Sequence, residues 1–211
     1  MKKLEYVAIS PARVCVKGRV LDTQATGADL LTEVYRREVG NYAKFFKMDT
    51  LSRLGFLAAE LLLKGTEKEV GEAEVPPLDE TWGVVLFGRS SSLRADTHFQ
   101  ASIQSREEFF PSPAIFVYTL PNVTAGEISI RHKFSGETAF YVLAGRDART
   151  LARQLMATFQ DEVTEHLVAA WTDCMDDGHF EAAALVLNRD DAWDEASLAG
   201  VLEEVFALEL D

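Results

Sequence analysis

"FVYTLPNVTAGEISIRHKFSGETAFYVLAG", residues 116–145, decides how the rest of the chain is read. Asn122 stands at the start of a helical pattern, where an Asn side chain can cap free amides. Ala125 and Gly126 follow, small enough to let that helix pack closely on a neighbour. Gly136 marks a turn. Beyond it "TAFYVLA" is apolar and rich in strand-forming residues, and it stops at Gly145. A buried strand running into a tight turn is how many enzymes present a nucleophile. Here the residue at that turn is glycine, which has no side chain to react.

The flanking sequence alternates strands and helices. "EYVAISPARVCV" (5–16) is strand-like and interrupted by Pro11. "ADLLTEVYRREV" (28–39) carries Leu30, Leu31, Val34 and Tyr35 at helical spacing. "TLSRLGFLAAELLL" (50–63) sets Leu51, Leu54, Phe56, Leu57, Ala58, Leu61 and Leu62 over a face so broad that it must be buried. A polar loop at 66–80 contains Pro76 and Pro77. "TWGVVLFG" (81–88) is apolar throughout, as a strand covered on both faces should be. Residues 89–110 read as irregular or briefly helical. Residues 146–163 read as a helix, and "HLVAAWTD" (166–173) and "EAAALVLN" (181–188) as two strands. Too little chain separates those two for a crossover helix, so they fit an antiparallel pair. Leu198, Val201, Leu202, Val205 and Phe206 give "DEASLAGVLEEVFALEL" (194–210) a helical apolar face. The pattern predicts an α/β fold: a layered, mixed five-stranded sheet with helices on both faces. Residues 1–190 form its main domain and 191–211 an acidic C-terminal helix packed on it.

The net charge of −13 is unevenly placed. Residues 161–211 hold 15 acidic residues and one basic residue, Arg189. That balance argues against nucleic acid, which needs a positive face. It fits a solvated surface, or a docking surface for a basic partner. No run is long enough to span a membrane. "MKKLEYVAIS" lacks the long apolar stretch of a secretory leader, so the chain is expected to be cytoplasmic. Cys15 and Cys174 have no metal-ligand spacing, and a disulfide between them is not expected in that compartment.

Several segments together resemble one family. "YAKFFKMDTLSRLGFLAAELLL" (42–63) is similar to a segment in which a basic–Met–Asp turn leads into a long Ala/Leu helix. "TWGVVLFG" resembles the strand that follows. "SPAIFVYTLPNVTAGEISIRHKFSGE" (112–137) carries the most specific match: Pro-Asn, then Ala-Gly, then an Ile-Arg run closing on a glycine. "HFEAAALVLN" (179–188) resembles a later strand. The family is the β-ketoacyl-(acyl carrier protein) synthases, the 3-oxoacyl-ACP synthases of fatty acid and polyketide biosynthesis, which share the thiolase fold. The resemblance covers most of residues 4–190, in order. It implies the N-terminal half of a two-half enzyme, whose second half would supply two catalytic histidines.

That alignment implies where the nucleophile would be. The family's "G-P-x-x-x-V-x-T-A-C" falls on "GETAFYVLAG" from Gly136, which puts Gly145 at the position of the catalytic Cys. In the family the positive end of a helix activates a thiolate there. Glycine also tolerates a strained turn. The resemblance therefore implies a pseudoenzyme similar to the Cys-lacking, chain-length-factor-like members. It further implies a dimer strand, Ala139, Phe140, Tyr141, Val142, Leu143 and Ala144, pairing with a second copy or with a full-length ketosynthase. Acyl carrier protein is an implied partner, although the acidic tail would repel its acidic surface.

The other reactive residue types read as structural. Ser90, Ser91 and Ser92 lack the glycine patterns of a nucleophile elbow or a phosphate loop. His98, His132, His166 and His179 show no ligand spacing, and His132 falls at a packing position. Asp173, Asp176 and Asp177 form an acidic turn without the ligand pattern of a calcium loop. No metal or cofactor is expected. Two other functions stay open: a scaffold module that recruits a partner through its acidic C-terminal region, and a thioester-handling enzyme with a different nucleophile, such as Cys174.

Overall fold

The computed structural model describes residues 5–65, 77–105 and 110–207. Most of the polar loop at 66–80, and residues 208–210 of the last expected helix, lie outside them. In chain order the strands are β1 (Tyr6–Ser10), β2 (Arg13–Val16), β3 (Arg19–Val20), β4 (Trp82–Gly88), β5 (Thr138–Val142), β6 (His166–Asp176) and β7 (His179–Asn188). The helices are α1 (Ala28–Glu38), α2 (Thr50–Leu63), α3 (Leu93–Ser102), α4 (Pro113–Val117), α5 (Val123–His132), α6 (Ala148–Thr158) and α7 (Glu195–Ala207).

The five expected strands lie side by side as β1-β7-β6-β4-β5, and β2 and β3 extend the sheet beyond β1 to make seven. The sheet is mixed: β4 runs parallel to β5 and to β6, while β6–β7, β7–β1, β1–β2 and β2–β3 are antiparallel. The two added strands come from the stretch that Pro11 interrupts. Pro11 and Ala12 turn the chain, and Val7 faces Val16 across the resulting hairpin. Lys17 (φ 52°) and Gly18 (φ 83°) turn it again. Positive φ at both central residues matches the twist of a two-residue hairpin.

Alternation along the strands divides the core. Val84, Leu86, Val168, Ala182 and Ala184 face α1, α2 and α5. Val85, Phe87, Ala169, Ala183 and Leu185 face α6 and α7. Both faces are covered, which is why the central strands are almost wholly apolar.

Helix α2 is enclosed by this arrangement. Every residue from Thr50 to Leu63 except Arg53 is buried. Asp49 caps it, accepting a hydrogen bond from the Ser52 amide at 2.9 Å. Polar groups on its flank are matched by α5. Ser52 Oγ lies 3.1 Å from Thr124 Oγ1. Buried Glu60 accepts from Arg131 Nε at 3.2 Å, and His132 Nε2 stands 2.7 Å from its Oε1. Burial by itself raises the pKa of Glu60, but the His132 and Arg131 contacts outweigh it and hold the carboxyl below its ordinary value.

Two expectations about α5 change. Asn122 does stand at its N-cap, but with helical backbone angles and no side-chain hydrogen bond to the first turn. The close packing expected at Gly126 occurs instead through Gly55 on α2. A Cβ on Gly126 would meet nothing within 4 Å, whereas one on Gly55 would lie 2.5 Å from Thr124 Cγ2. Gly55→Ala is expected to lower stability by about 1–3 kcal/mol despite its better helix propensity. Adding Thr124→Ser, which removes the opposing methyl group, should recover most of that loss in a urea-unfolding double-mutant cycle.

Candidate functional site

Because β4, β5 and β6 are parallel, their C-terminal ends lie at one edge of the sheet. Strand β4 connects to β5 on one side through α3–α5, and β5 connects back across β4 to β6 through α6. The carboxyl end of β4 is therefore a switch point, where open α/β sheets commonly bind ligands. Gly88 ends β4, and a Cβ there would come within 2.3 Å of the Thr172 carbonyl oxygen, so the two strands meet too closely for a side chain.

Buried Asp173 governs this end of β4. Its Oδ1 accepts hydrogen bonds from the amides of Arg89 (3.0 Å) and Ser90 (2.6 Å). Its Oδ2 accepts from Ser90 Oγ at 3.3 Å and lies 3.6 Å from Arg89 Nη2. The backbone amides that could cradle an anion are thus occupied by the protein's own carboxylate. Beside them, Trp171 Nε1 donates to Glu181 Oε1 at 3.0 Å, and Arg146 lies 3.4 Å from Glu181 Oε2. A cleft of about 400 Å³ adjoins this cluster, with Arg89, Asp173, Met175, His179 and Glu181 in its lining. Sequence patterns did not reveal these pairings, because the partners lie more than 80 residues apart for Asp173 with Arg89 and Ser90.

Gly145 lies in the turn between β5 and α6, at this same edge. Its φ lies outside the left-handed region, and an added Cβ would meet nothing within 4 Å. The turn makes no use of glycine's conformational freedom, and nothing in the local geometry demands glycine. The helix that follows is capped by Asp147, whose carboxylate accepts from the Thr150 amide at 3.0 Å and from the Thr150 hydroxyl. Those hydrogen bonds from Thr150 hold the Asp147 carboxyl below its ordinary pKa. A negative group already occupies the helix end that would otherwise stabilise a thiolate.

The remaining candidates are dispersed. Cys15 and Cys174 are both buried and free. Burial pushes the Cys174 thiol up to about 12. Ser90 is engaged by Asp173, and Ser92 donates to Asp96 at 3.0 Å. His132 is paired with Glu60, His166 Nδ1 lies 2.8 Å from Asn188 Oδ1, and His179 Nδ1 lies 2.8 Å from Asp176. No group of His, Cys, Asp and Glu among the described residues is arranged to hold a metal ion. No helix among them is long and apolar enough to cross a membrane.

The stretch from Ala139 to Ala144 is not the buried strand its composition suggested. Strand β5 is the last in the sheet, half-buried, and Leu143 and Ala144 lie beyond it. Glu137 O accepts from Val84 N and Leu143 N donates to Gly88 O, so the odd-numbered residues bond to β4. The amides and carbonyls of Thr138, Phe140 and Val142 therefore point away from the sheet. Val142 and, on the neighbouring α5, Ile130 expose large apolar side chains.

Iodoacetamide at pH 8 is expected to leave Cys174 unlabelled in the native protein and to modify it once the chain is unfolded in urea, since only the thiolate reacts. Rapid native labelling at Cys174, read by peptide mass spectrometry, would contradict the buried, protonated thiol.

No protein-family model matches the sequence, and no curated protein matches it. Solved structures do. The ishigamide ketosynthase/chain length factor has a TM-score of 0.63 at 16% identity, over 91% of this chain and 63% of the other. A chain of the ketosynthase ApeO in complex with its chain length factor ApeC, from Xenorhabdus doucetiae, has a TM-score of 0.54 at 14% identity, over 89% of this chain and 79% of the other. A chain of AntDE:AntF, a type II acyl-carrier protein in complex with its ketosynthase bound to the hexaketide, gives 0.51 at 12% identity, over 90% and 64%. The chain thus spans less than two thirds of the first of these structures. At such identities the likeness is one of fold: the α/β fold of this chain resembles the thiolase-like domain of ketosynthases.

Proposed function

We propose that this protein is a non-catalytic ketosynthase-like subunit acting in fatty acid, polyene or polyketide-type biosynthesis, where it pairs with itself or with an active 3-oxoacyl-ACP synthase. The observation that carries this reading is Gly145. It stands in the turn between β5 and α6, at the carboxyl edge of the parallel strands, with no side chain to accept an acyl group. The nearby reactive groups do not replace it. Cys174 is buried and protonated at neutral pH, and Ser90 and Ser92 are bound to Asp173 and Asp96 rather than to a histidine. Condensation needs a nucleophile and bases within hydrogen-bond reach, and neither is assembled among the described residues.

Strand β5 supplies the pairing surface in this reading. Among the described strands it is an edge, with outward amides at Thr138, Phe140 and Val142, which is a template for another strand. The acidic C-terminal region is a weaker basis for function. Helix α7 buries Leu198, Ala199, Leu202, Val205 and Phe206 against the sheet side shared with α6, so its apolar face is used for folding. Only its outer face, with Glu203 and Glu204 exposed, remains for a basic partner. Direct contact with an acidic carrier protein is disfavoured by that same charge.

Two measurements test the proposal. Incubation with acetyl- and malonyl-pantetheine thioesters should leave the intact mass unchanged; a stable acyl adduct would show a working nucleophile and sink the non-catalytic reading. Val142→Pro removes an outward amide without touching the β4 ladder, a substitution that edge strands tolerate. It should weaken self-association, or capture of a co-expressed ketosynthase, by about tenfold or more with the circular-dichroism spectrum retained. Association unaffected by Val142→Pro would remove β5 as the interface.

A further inference from the structure

A second cleft, of about 350 Å³, opens between the start of α2, α3 and α4. Its lining includes Lys47, Arg53, Arg94, His98 and Tyr118, together with Asp49 and Asp177. The two carboxylates are already engaged. Asp177 holds Arg94 at 2.5 Å and accepts from Thr50 Oγ1 at 2.8 Å. Asp49 is bound to the Ser52 amide. Arg53 donates from Nε to the Phe45 carbonyl and from Nη2 to the Phe46 carbonyl, and has no carboxylate partner among the described residues. Lys47, His98 and Tyr118 have no side-chain hydrogen bond or ion pair among the described residues.

The unmatched groups that converge here are therefore donors and cations. This is unexpected in a chain whose net charge is −13. The volume lies within the range of small-ligand sites, in which a few placed polar groups set orientation. We propose that this cleft binds a small molecule through an anionic group, a carboxylate or a phosphate, held by Lys47 with His98 and Tyr118 as further donors. Arg53 and Arg94, each already holding a protein oxygen, add positive potential beside them. A charged ammonium and a ring N–H suit either anion, since hydrogen bonds to ionised acceptors are the strong ones.

The test is calorimetric titration of the full chain at constant ionic strength, with inorganic phosphate in one arm and butyrate in the other. Saturable binding of one anion is expected, weakened about tenfold in Lys47→Gln and again in His98→Gln. Both residues are exposed, so the thermal unfolding midpoint should not move. Saturation by phosphate alone would identify a phosphoryl ligand, and by butyrate alone a carboxylate. Saturation by neither, or affinity unchanged in both variants, would overturn the proposal. The outcome does not depend on whether β5 forms a dimer.

Discussion

Helix α2 has no polar face, and the rest of the domain is arranged to cover it. Its burial needs the sheet beneath it and α1 and α5 beside it, and residues from all of these share one apolar cluster with it. The few polar groups it carries inward are matched one by one: Asp49 on its own first turn, Ser52 on Thr124, and Glu60 on Arg131 and His132. A helix that is apolar all round has no stable position at a surface. The close approach at Gly55 then sets how α5 sits, and through α5 the chain is delivered to β5 and to the turn at Gly145.

The carboxyl edge of the sheet has the shape of a ligand site but is filled by the protein's own charges. Asp173 occupies the amides after β4, and Asp147 occupies the start of α6. Each replaces a bound or reactive anion with a covalently attached one, which needs no ligand to be satisfied. Among the described residues, Lys47, His98 and Tyr118 and the outward backbone groups of β5 are left without protein partners. Unpaired donors and an edge strand are what a partner or ligand can complete.

Much of the architecture was legible in the residues. The five apolar runs hold β1, β4, β5, β6 and β7, and the helical spacings at 28–39, 50–63 and 194–210 mark α1, α2 and α7. The misreadings have physical causes. A hairpin at Pro11 needs only two turn residues, so its strands read as one. The composition of "TAFYV" is that of a covered strand because one side of each face is packed, while its exposure follows from its place in the strand order. The close-packing role went to Gly126 on local pattern, whereas contact between helices placed it at Gly55.

The sequence by itself determined the alternation of strands and helices, the need to bury α2, and the absence of a side chain at Gly145. These depend on periodicity and residue type, which are local properties. Only the tertiary structure decided that β5 is an edge, that Cys174 is sealed from solvent, and that Asp173 closes the end of β4. Each depends on residues far apart in the chain being brought within a few ångströms, and no local pattern encodes that.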